Sequence, residues 1–441
     1  MYIFSVDFGT SSLKSAIIDE DMNIIATAKK DYELKVTEGD KVELDPEQIF
    51  KSFVKAAQEL NKYMNDVEII AFDHLSPSVM FLDDEGNPLY PIITHLDRRS
   101  LKQTQEIVSK MGEDEFQKIT GVLPFAGGVS ITSILWIKEN LPEIFKKSYK
   151  IGHFNTYFCK KLTGKWAIDP VNASMMGLYE TITESGWSKE ITSIFGIPVE
   201  KLPEIMPAGT ILGGLCREVS NLTGLKEGIP VILGSNDAAT AQIGANNVNA
   251  GDVLNISGSS EILSIITDKP ILNKKYYIRK AINPGKWQVF AIVTGGFAIE
   301  WFRKEFCREM DINEYYNEYI PNLIKNRAKK EEVEFLPYLT GDRHSLEKKR
   351  GGFIGLTLDT TREDLLLSIL YGIHNPLIEV FKLAGEFLTL NKTIKITGGL
   401  TKDDSIIHLK EKIFKGFNFE IVNDCPLIGA AKLAMNSLKG N

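Results

Sequence analysis

A carboxylate closes an apolar run in Val231-Ile232-Leu233-Gly234-Ser235-Asn236-Asp237-Ala238-Ala239-Thr240-Ala241. A strand, a glycine turn and an acid before small residues would project Asp237 from a strand end into a cleft. There it could take the proton of a hydroxyl. The same residues suit a plain helix start with Asn236 or Asp237 as its cap, and the local sequence favours neither reading. A second pattern is Gly9-Thr10-Ser11, a tight turn between two apolar runs. Such a turn aims backbone N–H groups and hydroxyls at one point, which can cradle a phosphate. Asp7 stands just before it and could hold Mg²⁺ directly or through water, because Mg²⁺ takes few carboxylates and keeps its waters. Lys14, just after it, could reach a transferring phosphate as a point charge.

The turn has a partner. Gly258-Ser259-Ser260 stands between two further apolar runs, and two such turns could hold the phosphates of one nucleotide. Gly295-Gly296 and Gly398-Gly399 each follow a β-rich stretch. They could let backbone approach an adenine or ribose, or be plain turns. Asp97-Arg98-Arg99 follows the apolar stretch Tyr90 to Thr94 and could hold sugar hydroxyls or form a surface ion pair of small energy. No GxG triplet and no GxxxxGK[ST] occurs, so a nucleotide would have to be bound without a Rossmann or Walker loop.

These residues need elements to position them. Alternation predicts strands over Tyr2 to Val6 and Leu13 to Ile18, and a third around Ile24-Ile25 after the Asp19-Glu20-Asp21 turn. Asp45-Pro46-Glu47 predicts a helix start, with Asp45 as cap and Pro46 at the first helical position. Ile49, Phe50, Phe53, Val54, Ala57 and Leu60 follow at helical spacing. Glu68 to Phe72 reads as a short buried strand, and alternation of strands and helices continues, which predicts an α/β fold. The chain also echoes itself: Val6 to Asp19 resembles Asn255 to Asp268, with Gly9 on Gly258, Ser11 on Ser260, Ser15 on Ser264, Ile17 on Ile266 and Asp19 on Asp268. One duplicated fold with a boundary near residue 245 is the economical reading.

At 441 residues the chain suits two large domains. Hydrophobic residues make up 43% and charged residues 25%, as in soluble globular proteins, and the formal net charge of -7 gives no general attraction to nucleic acid or anionic membrane. The four cysteines form no CxxC pair and no disulfide framework, and the six histidines form no HExxH. No run of eighteen apolar residues occurs, and the start of the chain reads as a strand, not a signal peptide. The expectation is a cytoplasmic protein with no nucleic-acid or membrane partner.

Taken together, the motifs resemble those of the FGGY carbohydrate kinases of the actin/Hsp70/sugar-kinase superfamily, xylulose kinases in particular. Asp7-Phe8-Gly9-Thr10-Ser11-Ser12-Leu13-Lys14 is similar to the first phosphate motif, DxGTxxxK. His95-Leu96-Asp97-Arg98-Arg99 resembles the sugar-contacting W-x-D-x-R. Gly128 to Asn140 resembles the first signature, with Ser133 where a lysine is usual. Leu162-Thr163-Gly164 with Asp169, Ala173 and Ser174 resembles LTG…D…AS. Asp237 matches the family's base in its G-x-x-D-A-A context, and Gly258-Ser259-Ser260 the second phosphate motif. Leu336 to Arg343 resembles LPYLxGER, and Gly352 to Leu370 the second signature, ending on Tyr371 in place of an acid. Thr397-Gly398-Gly399-Leu400 resembles the adenosine motif and Gly429-Ala430-Ala431 the start of the terminal helix. Leu75-Ser76-Pro77 replaces the Q-M-H found in ketopentose-specific members, so the departures fall where the sugar would sit.

The resemblance implies two actin-like (ribonuclease H-like) domains with an ATP cleft between them. Residues 1–244 would carry the sugar site, the first hairpin and the catalytic acid, and residues 245–441 the second hairpin and the adenosine site. The implied activity is ATP-dependent phosphorylation of a hydroxyl on a small ketose or alditol. Asp237 would be the base, Asp7 and Asp237 would face Mg²⁺, and Ser76, Ser78, His95, Asp97, Arg99 and Asn236 would line the substrate pocket. ATP would be met by Gly9, Thr10, Ser11, Lys14, Gly258, Ser259, Ser260, Gly295, Gly296, Gly398 and Gly399. An actin- or Hsp70-like ATPase and a non-catalytic sugar-binding regulator are the competing readings on the same fold. Neither the sugar nor the oligomeric state is fixed by the sequence, and a homodimer stays open.

Overall fold

Ile3, Phe4, Val6 and Phe8 are fully buried in the first strand, Tyr2–Phe8. It pairs antiparallel with Ser12–Asp19, which pairs antiparallel with Ile24–Asp31. On its other edge it runs parallel to Val67–His74. Three of these are the strands expected from alternation and the fourth is the short buried strand expected at Glu68 to Phe72; Ile24–Asp31 runs well beyond the Ile24-Ile25 pair that marks it in sequence. In this computed structural model the described residues are 1–37, 40–339, 341–342, 346–347 and 349–440. Thr340 and Arg343 of the Leu336-to-Arg343 motif lie outside them.

By compactness the chain divides into two units, Met1–Asn246 with Ile278–Lys286 and Asp424–Asn441, and Asn247–Tyr277 with Trp287–Asn423. In the first unit the main sheet continues from Val67–His74 through Pro230–Ile232 to Ile211–Gly214, and Ser235–Asn236 also pairs with Val67–His74. One face is filled by aromatic rings. Phe8 lies 4.8 Å from Phe154 and 4.9 Å from Phe158, and Phe72 lies 4.9 Å from Phe158. The helix Pro46–Glu59 covers this face through Ile49, Phe50 and Phe53. It starts where the sequence places it, with the Asp45 carboxylate accepting from Glu47 N at 2.9 Å. The other face packs against the terminal helix Cys425–Leu438 through Leu427, Ala430, Ala431 and Ala434.

In the second unit, Val253–Ser257 pairs antiparallel with Ser260–Thr267, which pairs antiparallel with Trp287–Thr294. Val253–Ser257 also runs parallel to Thr393–Thr397. This is the strand pattern that opens the first unit, so the echo in sequence is an echo in topology. The registers differ at the turn. Phe8 pairs with Leu13, enclosing residues 9–12, whereas Ser257 pairs with Glu261, enclosing only residues 258–260. Beyond the turn, the residue-by-residue match of Ser15 with Ser264 therefore runs one place out of structural register. Helices Arg362–Gly372 and Asn375–Gly385 together form a 24-residue helical run that is apolar enough to cross a membrane by composition. Its 18-residue apolar stretch is 67% buried inside the fold, and Leu366, Leu367, Ile369 and Leu370 belong to the core of this unit.

Candidate active site and nucleotide pocket

Three carboxylates meet at the strand ends of the first unit. Asp7 is the penultimate residue of Tyr2–Phe8, and Asp73 is its register partner on the neighbouring parallel strand. Asp237 opens the helix Asp237–Gly244 directly after the short strand Ser235–Asn236. Asp7 and Asp237 are half-buried, whereas Asp73 is fully buried and neither of its oxygens receives a donor from a described residue. Three acids in so little water repel one another's charge. Burial, then the Asp7 charge, raises Asp237 to about 7, against the opposing pull of the Ala238 N–H, the Arg279 charge and the Asn236 amide. Burial, then the charges of Asp7 and Asp237, holds Asp73 well above the carboxylate range. Asp7 is also raised, chiefly by burial.

The question of the helix cap has a clear answer. Asn236 is the cap, its Oδ1 accepting from Ala239 N at 3.2 Å. Asp237 is the first helical residue, so it is spared the capping role and turns to the accessible side. Two close approaches hold it there. A Cβ on Gly234 would lie 2.4 Å from Phe72 O, so this position requires glycine for the strand to reach its neighbour. A Cβ on Gly429 of the terminal helix would lie 2.0 Å from Thr240 O, so the Asp237 helix and the terminal helix touch backbone to backbone. Beneath them Asp169, fully buried, accepts from Asn155 at 3.0 Å, Asn172 at 2.6 Å, Ser235 at 2.7 Å and Val171 N at 3.1 Å. It anchors the strand that carries Asn236.

At the first hairpin, Gly9 N donates to Ser12 O at 3.0 Å, and Thr10 and Ser11 reach solvent. Lys14 stands opposite Asp7 across the hairpin and pairs with Asp424, its side chain 40% exposed. Among the described residues no group of three or more His, Cys, Asp or Glu side chains is arranged to hold a metal ion. A half-buried Asp7 carboxylate outside any such group fits a Mg²⁺ held largely by phosphate oxygens and water.

In the second unit, Gly258 N donates to Ser260 O at 3.0 Å, and Gly296 N and Phe297 N donate back to Gly258 O at 2.9 Å and Ser259 O at 3.0 Å. A Cβ on Gly295 would meet Glu261 N at 2.7 Å, and one on Gly398 would meet Ser257 O at 2.3 Å. The close approach these two glycines allow is thus to the hairpin backbone itself. Beside it lies a cavity of about 470 Å³ that Gly258, Ser259, Gly296 and Gly399 line. Ser260, Gly295 and Gly398 stand behind this wall. The cavity is predominantly apolar, with Phe297, Ile312, Tyr316 and Leu400 around it and Glu300, Asn317 and Asp403 among its polar groups. Phe297 is 48% exposed. No local pattern in the sequence marks Phe297 or Tyr316, which lie on separate helical segments, Gly296–Phe306 and Tyr315–Tyr319.

The expected sugar residues fall into two groups. Ser76 Oγ lies 3.3 Å from His153 Nδ1, and His153 is bonded to Asn172 at 3.0 Å and Ser130 at 2.7 Å. Burial, with the Arg279 charge adding to it, lowers His153 to about 4, so the ring is neutral near pH 7. His95 is half-buried, with its carbonyl accepting from Arg98 at 2.8 Å. Ser78, Asp97 and Arg99 use their polar groups internally. Ser78 is fully buried and accepts from Phe154 N at 3.2 Å. Arg99 grips Asp97 at 2.6 Å and Glu43 at 2.7 Å and lies over the Trp136 ring at 5.0 Å. Asp97 also accepts from Val42 N at 2.7 Å. The pair therefore fixes the segment carrying His95 and Arg98. Sequence reasoning missed Asp73, His153 and Arg279, which have no motif around them.

The sequence profile of the FGGY family of carbohydrate kinases, N-terminal domain, matches residues 2–244. The chain is 26% identical over 429 residues to a gluconokinase of Bacillus subtilis (strain 168), spanning 94% of this chain and 83% of that protein. It is 26% identical over 445 residues to a xylulose kinase of Lactococcus lactis subsp. lactis (strain IL1403), spanning 98% and 87%. A ligand-bound xylulose kinase from Lactobacillus acidophilus superposes with a TM-score of 0.90 at 24% identity, over 100% of this chain and 90% of that one.

Proposed function

The chain belongs to the FGGY family of carbohydrate kinases, and from that premise we propose that it moves the γ-phosphate of ATP to a hydroxyl of a small linear sugar, sugar acid or polyol, with Asp237 as the general base. The observation that carries this reading is Asp237 itself: a half-buried carboxylate at a helix start, raised to about 7 by burial and by Asp7. A base with its pKa near the working pH is ionised often enough to accept a proton and basic enough to hold it. The acceptor O–H breaks toward Asp237, the freed oxygen bonds to the γ-phosphorus, and the bond from that phosphorus to the bridging oxygen breaks to release ADP. Such transfer depends on positioning and on charge stabilisation rather than on covalent intermediates.

Residues 1–244 would supply the acceptor site, with Ser76, His95 and Asn236 near the sugar and Asp97 and Arg99 fixing the segment that carries His95. Residues 245–441 would supply the nucleotide site. The apolar cavity beside Gly258 and Ser259 suits an adenosine, with Phe297 and Tyr316 against the base. Lys14 and the Gly9 hairpin would meet the transferring phosphate. Mg²⁺, when bound, would be held through Asp7, with Asp237 beside it, and would supply positive charge to the phosphate oxygens.

The test is ADP release with MgATP against xylulose, other pentuloses and hexuloses, gluconate, pentitols, tetritols and glycerol. A strong response to one or two acceptors names the substrate class. Background rates throughout, in folded protein that binds ATP, would remove the phosphoryl-transfer assignment for all of these acceptors.

A further inference from the structure

Arg279 lies in Ile278–Lys286, a segment that belongs to the first unit although the residues on both sides of it belong to the second. The segment is pinned at its start. Ile278 N donates to Gly121 O at 2.9 Å, and a Cβ on Gly121, which has φ +77°, would lie 2.2 Å from Ile278 O. Lys280 pairs with Glu184 at 2.9 Å. Arg279 between them is 2% exposed.

Its guanidinium reaches the residue before the base. Arg279 Nη2 donates to Asn236 Oδ1 at 3.0 Å, and Ala239 N donates to the same oxygen at 3.2 Å. The other end of the amide lies 2.8 Å from Asp237 Oδ1, an acceptor. Two donors against one end and an acceptor against the other permit a single amide orientation. Asn236 Nδ2 therefore donates to Asp237 Oδ1, which also accepts from Ala238 N at 2.7 Å. One carboxylate oxygen is held by two donors, and the second is left for the incoming proton.

We propose that Arg279 is a positioning residue: acting through Asn236, it fixes the Asp237 carboxylate so that Oδ1 is the held oxygen and Oδ2 receives the proton of the acceptor hydroxyl. Losing Arg279 leaves the amide oxygen with the 3.2 Å bond from Ala239 N as its one remaining donor, which loosens the amide, and a carboxylate that wanders by an ångström costs on the order of a hundredfold in rate. The inference rests on Asp237 being the base, and it adds a residue that the motifs of the sequence do not contain.

The experiment is a double-mutant cycle on kcat with Arg279→Met and Asn236→Ser, the serine being chosen because it keeps the helix cap. ADP release would be followed with MgATP and xylulose, gluconate or glycerol, carrying the acceptor of highest turnover through the series. Each single variant should lose on the order of tenfold to a hundredfold in kcat with an unchanged KM for ATP. In the Asn236→Ser background, Arg279→Met should add little to the loss in the high-pH plateau of kcat, because the path it acts through is already cut, while removal of the Arg279 charge from Asp237 shows only as a shift of the pH profile. Arg279→Lys should restore part of the rate. Wild-type kcat in either single variant, or losses that multiply in the double variant, would overturn the proposal. If Arg279→Met does not fold, Asn236→Ser and Arg279→Lys still decide it. Full turnover in Asp237→Asn would remove the base assignment and this inference together. An inactive Asp237→Asn beside a fully active Arg279→Met would remove this inference alone.

Discussion

Asp237→Asn keeps the shape of the side chain and removes only its basicity. Oδ1 can still accept from Ala238 N and from the Asn236 amide, so the helix start should persist. A neutral amide also ends the repulsion with Asp7, one of the causes that raise Asp237. The variant should then melt at pH 8 no lower than wild type. Positioned general bases contribute about 10²- to 10⁴-fold, and that is the expected fall in kcat. The wild-type pH profile gives the complementary magnitude. For a group titrating near 7, about a tenth is ionised at pH 6 and about nine tenths at pH 8, so kcat/KM should rise roughly tenfold across that interval. The assay is coupled ADP release under kcat/KM conditions between pH 5.5 and 8.5, with circular dichroism melts of both proteins. A variant with wild-type turnover, or a wild-type profile flat from pH 6 to 8, refutes the argument from the Asp237 environment.

Gly234→Ala should hurt catalysis without touching any reacting group. Its Cβ would stand 2.4 Å from Phe72 O, a full ångström inside ordinary contact. The shift this forces on the strand before Asp237 should cost on the order of a hundredfold in kcat, with stability falling by about 1–3 kcal/mol in chemical denaturation. The contribution of the three acids to ligand-free stability should fall as pH rises. Asp7, Asp73 and Asp237 are all raised, so between the ordinary carboxylate value near pH 4 and about pH 7 the folded state keeps on them protons that the unfolded chain has released, while the buried His74, His153 and His374, all lowered, act in the opposite sense below about pH 6.5. Asp237→Asn isolates one acid: in thermal melts without metal or nucleotide its midpoint should gain on wild type between pH 5.5 and 8, and a variant that loses ground to wild type over that interval contradicts this. Phe297→Ala should raise the KM for ATP about three- to tenfold, the worth of one aromatic contact, and leave the KM for the acceptor unchanged. A change confined to the acceptor would move the nucleotide away from the cavity beside Ser259.

Local chemistry makes much of this protein legible in its sequence. Strand alternation, the Asp45-Pro46 helix start and the two glycine-hydroxyl turns depend on neighbours a few residues away, and the structure has each of them in place. The order of the motifs was enough to identify the family. What the sequence left open was decided by residues far apart in the chain. Whether Asn236 or Asp237 caps the helix follows from an amide held by Arg279, more than forty positions away. The identical-looking hairpins enclose turns of different length, because register is set by the sheet as a whole. Asp97 and Arg99 carry the residue types of a sugar clamp, yet Glu43, Tyr90 and Trp136 close around them and bury both. Residue type and spacing determined which chemistry is available. Burial and long-range pairing, which a linear pattern does not encode, decided which of those groups stay accessible and what their charge costs.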